Sequence, residues 1–368
     1  MHFDIKKIMG SHCDNQRNQL LPITVGLDNT GGICYMNAIL QCFSNIEELS
    51  KFFLNKFKIS KNDQHKRLSN EYCKVIQNLW NRKKNGKLYS PLSFKKVIYE
   101  LNPSFSLVTG NGPIDLINFL LERLQQELNV AGNNNNINKN LLNKFNQLNE
   151  NAMLNFFFDD FIKRYKSIIT NLFYGVIETK TQCTNCCRIK YNFQIFTYLD
   201  FPLQQVNQYC FQTGKRMNFF LGIPYVDLYE CFEHYQSLIN MTGINQIYCS
   251  ECGRACNALY GTFLFSMPNY LIINLNRTNC GICVNFPETL KLHNYVIKKE
   301  INTIFNLISV ICRTDSGNFI AYCRHHTDHN WYKYNDANVA KCLNPKEYLN
   351  GTPYILFYKV VDNTNKCY

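Results

Sequence analysis

Cys34 follows Gly31, Gly32 and Ile33 at the point where an apolar helical spacing begins. A sulfur at a helix N-terminus faces backbone N–H groups that lack intrahelical acceptors, and it meets the positive end of the helix dipole. Both features suit a nucleophilic thiolate. The glycines let a substrate backbone approach closely. Taken alone, a cysteine after two glycines is more often a buried structural residue, so its flanking residues must decide.

Two further groups carry chemistry. Cys183-Thr-Asn-Cys186 and Cys249-Ser-Glu-Cys252 are CxxC pairs, each beside a strand-like run. Together they supply four thiolates, the ligand set of a closed tetrahedral zinc site that contributes to folding and not to catalysis. Cys187 and Cys256 are near enough to substitute as ligands. A third pair, Cys280-Gly-Ile-Cys283, has the same spacing and is read as structural. Imidazoles cluster at His325, His326 and His329, and His293 stands on another segment.

The chain has 368 residues, of which 46% are hydrophobic and 14% aromatic, so it can bury a large core. No run of eighteen apolar residues occurs, so no membrane span is expected. The N-terminus has no apolar core with a cleavage site, which predicts a cytoplasmic or nuclear protein. In such a reducing compartment the 18 cysteines are read as metal ligands, catalytic thiols or small buried residues. The net charge of +12 is compatible with an ordinary solvated surface.

The elements that must position these groups divide the chain in two. Residues 1–22 read as a flexible extension. A helical pattern runs from the glycine turn to Leu54 through Ile39, Leu40, Phe43, Leu49 and Phe53. Further helices are predicted at about 69–81 and at 113–128, the latter with Pro113 in its first turn. The asparagine-rich segment 131–152 reads as a low-complexity insertion. After Leu172, short apolar or alternating runs separated by turn residues predict antiparallel strands, and hence an α+β architecture.

The string GLDNTGGICYMNAILQ resembles the cysteine box of the ubiquitin-specific protease family at Gly26, Leu27, Asn29, Gly31, Cys34, Tyr35, Met36, Asn37, Leu40 and Gln41. Ile33 stands where the family has threonine. The stretch 307–339 resembles the family's histidine box at Leu307, Val310, Ile311, Gly317, Tyr322, Arg324, Trp331, Tyr332, Asn335, Asp336 and Val339. Asp115, Phe119 and Leu120 match the family's tail-binding helix, and PNYLIINLNR its core strand.

The resemblance covers about residues 24–360. It implies a papain-like hand within 23–362: a helical thumb at about 24–170, β-rich zinc-ribbon fingers at about 175–260, and an antiparallel β palm at about 261–362. It makes Cys34 the nucleophile, Asn29 the oxyanion donor, Asn335 the histidine-orienting position, Asp336 a further catalytic-site residue, and Asp115 and Phe319 contacts of the bound tail. It implies one structural zinc, on Cys183, Cys186, Cys249 and Cys252. Its partners would be ubiquitin or a ubiquitin-like modifier and ubiquitinated proteins.

The family's catalytic histidine aligns with Asn318. A carboxamide cannot take up a proton near neutral pH, so the resemblance implies an impaired deubiquitinase that still recognises the tail. At ~3.3 Å per residue, His325 stands roughly 20 Å or more along the strand from Asn318. An active enzyme with an unconventional base, His293 being one candidate, is the alternative. Asp115 also reads as a first-turn carboxylate that the helix dipole favours. A zinc-ribbon nucleic-acid-binding module is a third reading, but the chain lacks the basic-aromatic stripe that base stacking requires.

Overall fold

Helix formation starts at Cys34, as the glycine turn requires. The computed structural model describes residues 25–60, 63–80, 88–107, 112–131, 150–215, 218–220, 223–277, 281–298 and 303–361. The expected N-terminal extension, residues 132–149 of the asparagine-rich segment, and Cys280 lie outside the described residues.

The principal helices of the first half are α1 (Cys34–Ser44), α2 (Arg67–Trp80), α3 (Leu92–Leu101) and α4 (Pro113–Leu128). The helical run expected from the cysteine to Leu54 is interrupted. Asn45 returns its side-chain amide to the Gln41 carbonyl, and Ser50 Oγ donates to the Ser44 carbonyl, so α1 is capped and a short helix, Glu47–Lys51, restarts beyond it. In α1 every residue from Met36 to Ser44 is buried, which makes it the core helix around which the others pack. In α4, Leu116, Ile117, Leu120, Leu121, Leu124 and Leu128 form the buried stripe expected of an amphipathic helix.

The second half contains β1 (Gly175–Cys183), β2 (Ile189–Phe196), β3 (Leu199–Pro202), β4 (Ala258–Ser266), β5 (Tyr270–Asn276), β6 (Ile304–Arg313), β7 (Phe319–Arg324), β8 (Trp331–Asn335), β9 (Asn338–Lys341) and β10 (Thr352–Val360). The main sheet runs β9-β8-β7-β6-β10-β5-β3, with Thr289–Lys291 paired to β6. Its pairs are antiparallel except β5 with β3.

Both faces of this sheet are covered, which explains why β5 reads as a continuous apolar run and not an alternating one. Tyr270, Ile272, Ile311, Ala321 and Phe357 face α1, α2 and α4, whereas Leu271, Ile273, Val310, Tyr322 and Leu356 face helices Leu203–Gln212 and Leu228–Tyr235.

A smaller sheet, β2-β1-β4 with Ile239–Met241 at its edge, projects toward a two-stranded ribbon of Ile247–Cys249 and Arg254–Cys256. The register that pairs Cys183 with Ala258 brings the end of β1 beside that ribbon. The chain is thus a mixed α+β fold.

Gly26 is where the N-terminal segment meets the β8–β9 turn. A Cβ built on it would lie 2.2 Å from the Ala337 carbonyl oxygen, and that neighbour is backbone that cannot swing aside. Gly26→Ala is expected to destabilise the chain by about 1–3 kcal/mol, the usual range for overpacking. A lower urea midpoint with an unchanged slope is the expected reading.

Candidate active site and metal centre

Cys34 is the first residue of α1 and is half-buried. The loop before it turns through Gly31 (φ 82°) and Gly32 (φ 72°), a left-handed pair that only glycine adopts without strain. Asn29 closes this loop by accepting the Ile33 N–H on its Oδ1 at 2.9 Å. Lys95 of α3 holds the outer side, donating to the Thr30 carbonyl at 2.6 Å.

The palm reaches Cys34 through backbone. The Phe319 N–H donates to Cys34 Sγ at 3.4 Å, while the Phe319 ring packs edge-on against Tyr354. Asn318 precedes β7 in a tight turn: the Thr314 N–H donates to the Asn318 carbonyl at 2.8 Å, and the Asn318 N–H donates to Thr314 Oγ1 at 3.1 Å. The Asn318 side chain is exposed and makes no hydrogen bond among the described residues.

Asn335 is exposed at the end of β8, opposite Asn338. Asp336, next in the turn, has a left-handed backbone (φ 52°) that sends its carboxylate back toward α1. Its Oδ2 accepts from Asn29 Nδ2 at 2.9 Å and its Oδ1 from Asn37 Nδ2 at 2.8 Å. Its carbonyl accepts from the Leu27 N–H at 2.8 Å. One carboxylate therefore ties the cysteine loop, the cysteine helix and the palm hairpin together.

Asn37 matches the cysteine box, and its role as a partner of Asp336 comes from the structure. The available signal was its spacing, three residues after Cys34 and hence on the same helix face.

Asp115 accepts the Gly112 N–H on its Oδ2 at 2.6 Å, which closes the first turn of α4. Its carboxylate also acts across the cleft: burial, then the Asp200 and Asp115 carboxylates, raise the Tyr198 phenol above its usual range. Asp115, Tyr198 and Asp200 are thus close enough to interact electrostatically.

The described histidines lie elsewhere. Phe319 touches Cys34 and Cys323 stands 3.9 Å from Cys42 by their sulfurs, so β7 runs alongside α1. Eight residues of helix span ~12 Å, and His325 lies beyond Cys323, fully buried against Trp80. His326 faces Glu47 at 3.8 Å, and His293 is exposed after the strand Thr289–Lys291. Among the described residues the hydrogen-bond partner of Cys34 is the Phe319 N–H.

At the ribbon, the sulfurs of Cys183, Cys186, Cys249 and Cys252 all lie within 4.8 Å of one another. Cys186 and Cys249 are 3.5 Å apart, and Cys183 and Cys252 4.0 Å. Each CxxC bends at the residue after its second cysteine, Cys187 (φ 58°) and Gly253 (φ 64°), whose N–H groups return to the Cys183 and Cys249 carbonyls. The Cys187 side chain is exposed; Cys256 is buried and packs beside the cluster. These four thiols form a site that can hold a metal ion. Of the third CxxC pair, Cys283 is exposed.

The sequence model of the family described as ubiquitin carboxyl-terminal hydrolase matches residues 25–358. The chain belongs to this family. It is 24% identical over 351 residues to ubiquitin carboxyl-terminal hydrolase Usp2 of Drosophila melanogaster, with 91% of this chain and 34% of that protein covered. It is 26% identical over 351 residues to human ubiquitin carboxyl-terminal hydrolase 2, covering 91% of this chain and 55% of that protein. It is 24% identical over 370 residues to human ubiquitin carboxyl-terminal hydrolase 21, covering 93% and 62%. This member of the hydrolase family spans about a third to three-fifths of the length of those relatives.

In this hydrolase-family chain Asp336→Ala would remove the acceptor of one amide N–H on Asn29 and of one on Asn37, which is only 2% exposed and keeps the Asp28 carbonyl at 3.3 Å. A buried donor left without its acceptor costs about 1–3 kcal/mol. A fall of that size in unfolding free energy is expected, with faster alkylation of Cys34 as its loop loosens. An unchanged alkylation rate would show that the loop does not depend on Asp336.

Proposed function

We propose that the chain binds the C-terminal tail of ubiquitin or a ubiquitin-like modifier in the groove between α4 and the palm, and that it hydrolyses the attached bond slowly or not at all. The observation that carries this reading is the pairing of Cys34 with a backbone N–H where a cysteine hydrolase needs an imidazole. Asn318 occupies the position at which the family's pattern has its histidine.

The chemistry follows from the residues present. The tail would run past Asp115, Tyr198 and Phe319 to bring its last carbonyl to Cys34. The free N–H groups at the start of α1 suit the developing oxyanion. Asn29, with one amide N–H on Asp336, would supply the side-chain donor. A thiol adduct of an amide collapses productively only when the departing amine takes up a proton. Otherwise the thiolate leaves and the amide re-forms. An imidazole does this transfer, and neither Asn318 nor the Phe319 N–H can do it. Loss of such a group costs ~10²–10⁴ in rate, and ~10⁶ where the catalytic set acts as a unit.

A second reading, an active hydrolase with Cys34 and an unconventional base, is favoured by one observation: the sulfur accepts the Phe319 N–H and sits on the first residue of α1, at the positive end of the helix dipole. The two readings part on a fluorogenic ubiquitin C-terminal amide. The first expects negligible release by the native chain, at least a hundredfold more by Asn318→His, and submillimolar ubiquitin binding retained by Cys34→Ala. Family-like release by the native chain, abolished in Cys34→Ala, would sink it and favour the second.

We further propose that the four-cysteine cluster holds one zinc ion. Zn–S bonds of ~2.3 Å in a tetrahedron place sulfurs ~3.8 Å apart, within the spread of separations in this cluster. Zinc there would serve folding, by cross-linking β1 to the ribbon. One equivalent of zinc should appear by elemental analysis and be lost in Cys186→Ser, with a fall in melting temperature. A stable, metal-free native protein would contradict this assignment.

A further inference from the structure

The three histidines after β7 take no part in the chemistry above, yet they gather around a cavity of about 310 Å³ at the opposite end of α1 from Cys34. Asn45, just past the last turn of α1, lies on its wall, and α1 itself is 11 residues long. The cavity is therefore ~16 Å from the cleft thiol.

Of the charged side chains that line this cavity, Arg324 and Lys359 are cations and Glu47 is an anion. Glu47 is already held by Lys51 on its own helix. Glu48 behind it binds Lys359 at 2.8 Å and accepts the Tyr270 hydroxyl. Arg324 has no such counterion. Its Nε donates to the His329 carbonyl at 3.3 Å, and no carboxylate among the described residues lies within ion-pair distance of its guanidinium. His326 adds a buried Nδ1 without a hydrogen-bond partner among the described residues, its Nε2 standing 3.8 Å from Glu47.

The backbone around the cavity is also specialised. His329 is left-handed (φ 55°), which aims its carbonyl at Arg324, and the β6–β10 register shifts between Leu307 and Ser309 beside the wall. A metal is a poor occupant. His325 Nδ1 is engaged by Thr327 Oγ1 at 2.8 Å, and the group of metal-binding side chains that converges among the described residues is the four-cysteine cluster.

We propose that this cavity is a binding site for a small oxyanion, a phosphate or a carboxylate, held by the Arg324 guanidinium with Lys359 and His326 beside it. Planar guanidinium donors match both groups. The assignment is independent of whether Cys34 is catalytic.

Proton uptake should accompany binding. Burial holds the His326 imidazole below its ordinary range. Glu47 and Glu48 favour its protonation, and Lys51 and Lys359 oppose it. His325, its ring 4.4 Å away and tilted by 33°, Arg324, Asp328 and His329 belong to its own hairpin, and Trp80 packs from α2. A bound anion favours the imidazolium, so affinity should rise as pH falls from about 7.5 to about 6.

The test is isothermal titration of the full chain with inorganic phosphate and, separately, citrate, at ionic strength fixed with sodium chloride. Saturable one-site binding is expected, tighter at the lower pH, and weakened at least tenfold in both Arg324→Gln and His326→Gln. Binding should be unchanged in Lys96→Gln, whose ammonium is exposed on α3. The better-bound probe distinguishes a phosphate from a carboxylate occupant. Should Arg324→Gln fail to fold, His326→Gln decides together with the shift of the native His326 imidazole resonances on titration. No saturable binding of either anion, or equal affinity in the folded variants, would overturn the proposal.

Discussion

The carboxylate of Asp336 is the junction on which the cleft depends. It receives the amide of Asn29 from the loop before Cys34 and the amide of Asn37 from within α1, and it does so from a turn of the palm sheet. Hydrogen bonds to an ionised acceptor are stronger than neutral ones, and Asn37 is buried, so the arrangement is rigid. The left-handed backbone at Asp336 and the absence of a side chain at Gly26 are what allow the two halves to come this close. Thumb and palm are thereby fastened at the cleft itself, not only through the core beneath it.

Below that junction the fold is held by apolar burial on both sides of one sheet. The projecting sheet has no comparable resource. Its tip is two short strands whose buried residues are Cys249 and Cys256, packed with Cys183 from the end of β1. A ribbon of that size cannot bury enough surface to order itself, and a thiolate-bound ion is the usual substitute for a core. The main sheet is thus held by apolar burial, whereas the ribbon's resource is a set of thiols that can hold a metal ion.

At the cleft Cys34 Sγ accepts the Phe319 N–H, and the turn before β7 carries the exposed Asn318 carboxamide. Binding geometry and proton transfer are separable properties. The first depends on helix and strand placement, which the packed core enforces. The second depends on residue type, and a side chain in an exposed turn, such as Asn318, can be replaced without disturbing packing.

Much of this was legible in the sequence. The bounds of α4 follow from Pro113 and the leucine spacing, the strand-rich second half from its turn residues, and the four-cysteine cluster from the CxxC pairs. Local propensity did not disclose the break after α1, because the apolar spacing runs on past Asn45 and the capping is done by side chains folding back. Nor did it show which of Asn335 and Asp336 turns inward, since only the left-handed backbone at Asp336 decides that. That residue 318 is a carboxamide and not an imidazole was legible directly, for that is a matter of residue type. That Cys34 meets the Phe319 N–H and that the histidines gather at the far end of α1 were decided by tertiary structure alone. Those facts depend on the register of β7 along α1, and register is set by packing between segments about 285 residues apart, which no local pattern encodes.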